Sequence, residues 1–246
     1  MIKIENTKVS GWEDAIRGMR NPLNSWEKSD SIFYENGEYH NILGDSGPGQ
    51  ERMEEDFELG AADYNLMKRL AKAGSVEAKY RRMIVVYCDI TAPLYWWKEF
   101  DTYKVGTVAN SCSTMHKIHE KEFDRSDFSH EHILDDEHCI CITADMSADP
   151  YVDPKYTPMD SLDLTIRMLN AARKLYLKTS DKKYWWQLIQ LLPSSYNQRR
   201  TVMMNYEVLA NIYKNRKNHK LDEWGHESGF CRWIELLPHS ELITGK

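Results

Sequence analysis

A chain of 246 residues with 41% apolar side chains, among them 8 Trp, 14 Tyr and 6 Phe, has enough bulk for a sizeable core and is read as one folded domain over residues 1–246. The net charge of −6 argues against a broad basic face for nucleic acid and leaves room for a local basic pocket around one phosphate. No apolar run approaches the roughly 20 residues needed to cross a bilayer, "MIKIENTKVSGWEDAIRGMR" lacks the apolar middle of a signal peptide, and five cysteines without a regular framework fit reduced thiols, so a cytoplasmic protein with no membrane partner is expected.

"MIKIENTKV" alternates as a short strand, and "SGWEDAIRGMR" continues as a helix with Ser10 as its candidate cap. Residues 35–52 carry turn formers and read as a long loop; a helix follows over about Ala61 to Ala73. "YRRMIVVYCDI" is a continuous β-branched and aromatic run, expected to be a strand buried on both faces and ended by Pro93. The polar residues 117–138 read as a surface excursion, "CICITADM" as an extended segment, and "DPYVDPKYTP" as a connector. From Ser161, capped by itself or Asp160, Leu162, Ile166, Leu169, Ala172 and Leu175 recur at helical spacing. "YWWQLIQLLP" predicts a helix stopped by Pro193, and residues 201–217 the last long helix. A few strands among several long helices place the chain in the α/β or α+β class.

In that last helix Asn205 and Arg216 lie eleven residues apart. At 100° per residue they return to within about 20° of each other, with Leu209 and Ile212 between them. Both are explained as the polar rim of a core-facing stripe, or as an amide and a guanidinium bracketing a ligand. "VANSCSTMH" offers Asn110, Ser111, Ser113 and Thr114, suited to a phosphate or pyrimidine edge or to an ordinary polar loop. "PLYWWKEFDTYK" sets Lys98 and Lys104 near paired tryptophans, which serve as core anchors or as walls for a flat ring. Arg199 and Arg200 stand upstream of Asn205, where an anion or solvent would meet them. His130, His132, His138, Cys139 and Cys141 have metal-ligand types without metal-site spacing, so no metal is expected. Cys112 has no orienting partner that would make it a nucleophile, and "GDSGPG" is not a P-loop.

"LLPSSYNQRRTVMMNYEVLANIYKNRKNHKLDEW" resembles the C-terminal signature of the flavin-dependent thymidylate synthases, with Leu192-Pro193 followed by Asn205, Leu209, Ile212 and Arg216. "PLYWWKEFDTYKVGTVANSCSTMH" is similar to that family's diagnostic segment, Asn110 and Ser113 standing at its Asn and second Ser. Against the family pattern, Thr102-Tyr103-Lys104 replaces Arg-His-Arg, Ser111 a Glu, Met115 an Arg, His116 a Tyr and Glu207 the helix Arg, and the terminal Arg falls at or near His226. The resemblance implies a curved, mainly antiparallel sheet flanked by long helices, a homotetramer, and an enzyme methylating dUMP or a related pyrimidine nucleotide with FAD, methylene tetrahydrofolate and NADPH. It also implies cofactor contacts at Lys104, Asn110, Asn205 and Arg216 and nucleotide contacts at Ser113, His116, Arg199 and His226. The loss of arginines keeps open a non-catalytic nucleotide-binding or assembly protein on the same scaffold, and a structural partner protein with no small ligand.

Overall fold

The computed structural model describes residues 2–34, 57–136, 142–143, 155–225 and 227–246; the expected loop over 35–52 and the residues His138, Cys139, Cys141 and His226 lie outside them. In chain order the elements are β1 (Lys3–Ser10), α1 (Trp12–Arg20), β2 (Ile32–Phe33), β3 (Phe57–Glu58), α2 (Ala61–Ala73), β4 (Val85–Pro93), α3 (Leu94–Phe100), β5 (Val108–Ser111), β6 (Ile142–Thr143), β7 (Lys155–Tyr156), α4 (Pro158–Thr179), α5 (Lys182–Gln190), β8 (Asn197–Asn205), α6 (Tyr206–Arg216), α7 (Phe230–Glu235) and α8 (Glu241–Thr244). Among the described residues the chain forms two compact units, one of Ile2–Thr91, Lys98–Asn110 and Arg199–Lys246, the other of Ala92–Trp97 and Ser111–Gln198.

The first unit is built on a mainly antiparallel sheet with strand order β1-β4-β8-β5. β1 runs antiparallel to β4 from Lys3 opposite Thr91 to Ser10 opposite Val85, with a bulge between Glu5 and Lys8. Within β4, Val86, Cys88 and Ile90 are buried while Tyr87 is 46% exposed, so the strand alternates rather than being buried on both faces. A β-branched run marks a strand, but only packing decides how many of its faces are covered. Buried Val202 and Met204 of β8, Trp12 and Ile16 of α1, and Leu209 and Ile212 of α6 complete this core. Ser10 ends β1 and does not cap α1; that place belongs to Gly11, at φ 91°, where an added Cβ would lie 2.2 Å from the Met83 carbonyl oxygen.

The expected helix over 201–217 is two elements. Residues 197–205 form β8, whose alternating burial and neighbours in the sheet override the helix-forming methionines, and the helix starts only at Tyr206. Asn205 is therefore the N-cap of α6: its Oδ1 accepts from the Val208 amide at 3.0 Å.

The second unit centres on the hairpin of α4 and α5. α4 begins at Pro158, three residues before the expected start, because Thr157 and Asp160 form a reciprocal capping box and proline suits the first helical position. Its inner stripe Leu162, Ile166, Leu169 and Ala172 is buried with Leu188, whereas Leu175, expected in that stripe, is 42% exposed. The polar excursion is pinned rather than merely draped: Ile118, Phe123 and Phe128 enter the same core, and the Asn170 side chain brackets the Phe123 backbone at 2.9 and 2.8 Å. α5 ends at Gln190, ahead of Pro193.

Buried charge fixes the first unit. Arg20 Nε donates to Asp63 Oδ1 at 2.6 Å, and both side chains are almost wholly buried. Asp63 Oδ2 also accepts from Ser29 Oγ, Ser31 Oγ and the Asp30 and Ser31 amides at 2.7–3.2 Å. Asp30 in turn receives the Ala62 and Asp63 amides, satisfying the start of α2, whose Gly60 offers no side-chain cap. Asp89 is held similarly, by Arg199 at 2.7 Å, Thr201 at 2.6 Å and Asn6, at the β1 bulge, at 2.8 Å. In both carboxyls burial pushes the pKa up, yet the hydrogen bonds from Ser29, Ser31 and Arg20, or from Thr201, Arg199 and Asn6, outweigh it and leave the pKa lowered.

Removing one partner of the buried pair strands the other charge, so Asp63→Ala is expected to cost about 3–5 kcal/mol in urea denaturation, against about 1 kcal/mol or less for the exposed Arg17–Asp14 pair. Because Asp63 and Asp89 have folded pKa values below the unfolded value of about 3.9, they stabilise the fold above that pH, and the stability is lost as pH falls through the folded values. A melting-temperature series on the acid side is expected to fall along that limb, and Asp89→Asn to make the limb shallower.

Candidate functional site

Within the first unit, α6 grips the turn Asp101–Thr107 between α3 and β5 at both of its ends. At the start of α6, Gly106 lies so close that an added Cβ would sit 2.7 Å from Asn205 Nδ2 and 3.0 Å from Val208 Cγ2. Its φ of 78° independently requires glycine. At the last residue of α6, Arg216 Nε donates to the Tyr103 hydroxyl at 2.9 Å. Asn205, the N-cap at the end of β8, and Arg216, the last residue of α6, thus hold this one turn from the two ends of the helix. A third anchor comes from β8, where Arg200 Nη1 meets Asp101 Oδ1 at 2.7 Å.

The Arg216 guanidinium is enclosed on several sides. Nη1 donates to Glu99 Oε2 at 2.7 Å, and the guanidinium carbon lies 5.0 Å from the Trp224 ring centroid and 5.6 Å from that of Tyr103. Glu99 Oε2 also accepts from the Trp224 indole at 3.0 Å and stands 3.5 Å from His219 Nε2. His219 Nδ1 accepts from the Leu221 amide at 3.2 Å, which leaves Nε2 as the nitrogen that carries a proton toward Glu99 in the neutral ring. Trp224 is fully buried, so this ion pair has one dry side.

The gripped turn lines a cavity of about 410 Å³ bounded by Phe100, Asp101, Tyr103, Lys104, Thr107 and Ala109. That volume lies toward the lower end of the roughly 300–1,000 Å³ range of small-molecule sites. Two aromatic rings and an alanine provide apolar wall. Lys104 is exposed with no ion-pair or hydrogen-bond partner among the described residues, and the Thr107 hydroxyl is buried with none. The cavity thus offers some apolar wall and one cation free among the described residues, while the Thr107 hydroxyl lies closed off beneath its surface.

The remaining candidates are placed as follows. Asn110 is exposed on β5, the strand next to β8 in the sheet. Arg199 is committed to Asp89, and it and Arg200 belong to β8 rather than to the approach to α6. In the second unit, the Ser113 hydroxyl accepts from the Met115 and His116 amides at 3.2 and 3.0 Å, closing a turn on which His116 is exposed. His226 lies outside the described residues. Glu207, at the position of the helix arginine in the resemblance, faces Arg81 at 3.8 Å in the first turn of α6, where an acid suits the helix dipole. Among the described residues there is no cluster of three or more His, Cys, Asp or Glu able to hold a metal.

Sequence reasoning did not single out Glu99, Gly106, Asp101 or Trp224. Glu99 and Arg216 are 117 positions apart, so no local pattern links them. Gly106 carried a usable signal: a glycine between Val105 and Thr107, just before an extended run, marks a turn that needs a positive φ.

No protein-family model matches the sequence, and no curated protein matches it. Solved structures do. Thymidylate synthase X (ThyX) from Helicobacter pylori with FAD and dUMP superposes with a TM-score of 0.61 at 13% identity, over 100% of this chain and 98% of that one. A second structure, flavin-dependent ThyX from the same organism complexed with FAD and dUMP, gives 0.61 and 13% over 99% of this chain and 98% of that one. The UMP/dUMP methylase PolB from Streptomyces cacaoi, bound with 5-Br dUMP, gives 0.46 and 13% over 89% and 80%. Along its whole length, therefore, the chain has the fold of the flavin-dependent thymidylate synthases.

Proposed function

We propose that the protein is a dUMP-modifying enzyme of the flavin-dependent thymidylate synthase type, acting as one domain in a cytoplasmic homotetramer of nucleotide biosynthesis. It would bind FAD and use methylene tetrahydrofolate as carbon donor and NADPH as reductant. The observation that carries this reading is the end-to-end superposition on an enzyme crystallised with FAD and dUMP, together with a cavity in the turn that replaces that family's arginine motif. Among the described residues no helix is long and apolar enough to cross a membrane.

The residues present fit part of such a ligand pair. Tyr103 and the edge of Phe100 contribute apolar wall for a ring, and Lys104 a cation for a phosphate. The flavin, when bound, supplies hydride chemistry. Asn205 and Arg216 serve by holding the turn: the Asn205 Oδ1 is spent on its helix cap and Arg216 on Glu99 and Tyr103. Asn110 remains a proposed cofactor contact, and Ser113, His116, Arg199 and His226 proposed nucleotide contacts, on the resemblance alone.

Purified protein is expected to be yellow, or to turn so on adding FAD, and to melt higher with FAD or dUMP; a ligand at 100 times its Kd adds about 2.7 kcal/mol. A colourless preparation whose melting ignores FAD, FMN and dUMP overturns the proposal. Lys104→Ala is expected to weaken dUMP or FAD binding by about 1.5–3 kcal/mol in calorimetric titration while leaving the melting temperature of the free protein nearly unchanged, since Lys104 holds no structural contact.

A further inference from the structure

The cavity holds a second charged side chain besides Lys104, and its sign is wrong for a phosphate. Asp101 lines the same wall with 50% of its side-chain surface exposed. Its Oδ1 accepts from Arg200 Nη1 at 2.7 Å, whereas Oδ2 has no hydrogen-bond or ion-pair partner among the described residues. The Arg200 side chain is only 15% exposed, so the guanidinium holds the carboxylate from its covered side and leaves the remaining acceptor sites to the open one. An ionised carboxylate accepts hydrogen bonds and donates none. It repels a phosphate and gains nothing from a pyrimidine carbonyl, so a ligand meets it with a donor.

We propose that Asp101 is the acceptor for the vicinal 2′- and 3′-hydroxyls of a ribose, so that the cavity takes a ribonucleoside 5′-phosphate in preference to its 2′-deoxy counterpart. The inference rests on the proposed function for the presence of a nucleotide here, and narrows it to the sugar. Lys104, the cation for the 5′-phosphate, follows Asp101 by three residues, which sets their Cα atoms at most about 10 Å apart. The part of a nucleotide next to its 5′-phosphate is the sugar, with the base beyond it. A carboxylate this near the ammonium therefore meets hydroxyls before it meets a base edge. Two adjacent hydroxyls donate to the open lone pairs of one carboxylate, and such charge-assisted bonds are the stronger kind. A 2′-deoxyribose leaves one of those acceptor sites to water. Two molecules carry the required group: a uridine ribonucleotide in the substrate's place, and the adenosine half of FAD.

Calorimetric titration of the full-length protein with UMP, dUMP, AMP and dAMP tests this. At least one ribonucleotide is expected to bind on the order of tenfold tighter than its deoxy partner, the lower end for a hydrogen bond to a charged group because Asp101 is half exposed. A preference within the uridine pair assigns the cavity to the substrate, and one within the adenosine pair assigns it to the cofactor. D101N is expected to abolish the preference by weakening the ribonucleotide alone, an effect that loss of structure would not produce. A melting curve without nucleotide checks that D101N is folded, and the four wild-type titrations stand without the variant. Equal binding within both pairs, or a preference that survives in folded D101N, overturns the inference and leaves the proposed function standing. A protein that binds none of the four nucleotides overturns the inference, and one that is also colourless and indifferent to FAD overturns the proposed function with it.

Discussion

The Arg216 guanidinium, paired with Glu99 and laid over Trp224 and Tyr103, is the interaction on which the cavity depends. A guanidinium can stack on an aromatic face and donate at its edges at the same time, which an ammonium cannot. That dual geometry lets one side chain at the end of α6 fix both the tip of α3, through Glu99, and the turn beyond it, through the Tyr103 hydroxyl. Asn205 completes the grip by packing on Gly106 while capping the same helix. The cavity walls are thus set by a rigid helix rather than by the turn's own preferences, and a preorganised site loses less entropy on binding.

The charge arrangement around this site differs in kind from a cluster of arginines facing an anion. Glu207 lies against Arg81 near the start of α6, Arg200 is engaged by Asp101, and Arg199 by Asp89. Arg199, Arg200 and Arg216 already have carboxylates, whereas Lys104 at the cavity has none among the described residues. A cavity with one ammonium and an aromatic wall favours selection by shape and stacking over summed positive charge. The same economy holds in the scaffold, where Asp63 and Asp89 are buried or half-buried and each is surrounded by donors from distant segments. Such carboxylates specify which loop meets which strand, since any other pairing would bury a charge alone.

Much of the secondary structure was legible in the sequence because it rests on local chemistry. The alternation of β1, the helix over Ala61–Ala73 and the inner stripe of α4 follow from periodicity and side-chain type. The differences have two causes, one local and one tertiary. The start of α4 was misplaced because Thr157 sits beyond a proline, although Thr157-Pro158-Met159-Asp160 is a readable capping box. Residues 201–205 looked helical because methionine favours helices, and only their neighbours β4 and β5 make them a strand. Gly11 in place of Ser10 at the start of α1 reflects the approach of Met83, 72 residues further along the chain.

For the site, the sequence by itself determined that two distant segments resemble one enzyme fold, since motif spacing is a property of the chain alone, whereas the helix face it assigned to Asn205 and Arg216 gave way to a strand end and a helix end. It left open whether those polar groups reach a ligand or serve the fold. The tertiary structure decided that they hold the Asp101–Thr107 turn, that Glu207 is met by Arg81, and that Lys104 is the cation left at the cavity among the described residues. The reason is physical: whether a charge is free or spent depends on which oppositely charged group arrives beside it, and Glu99, Arg81 and Asp101 arrive from positions that no sequence period connects to their partners.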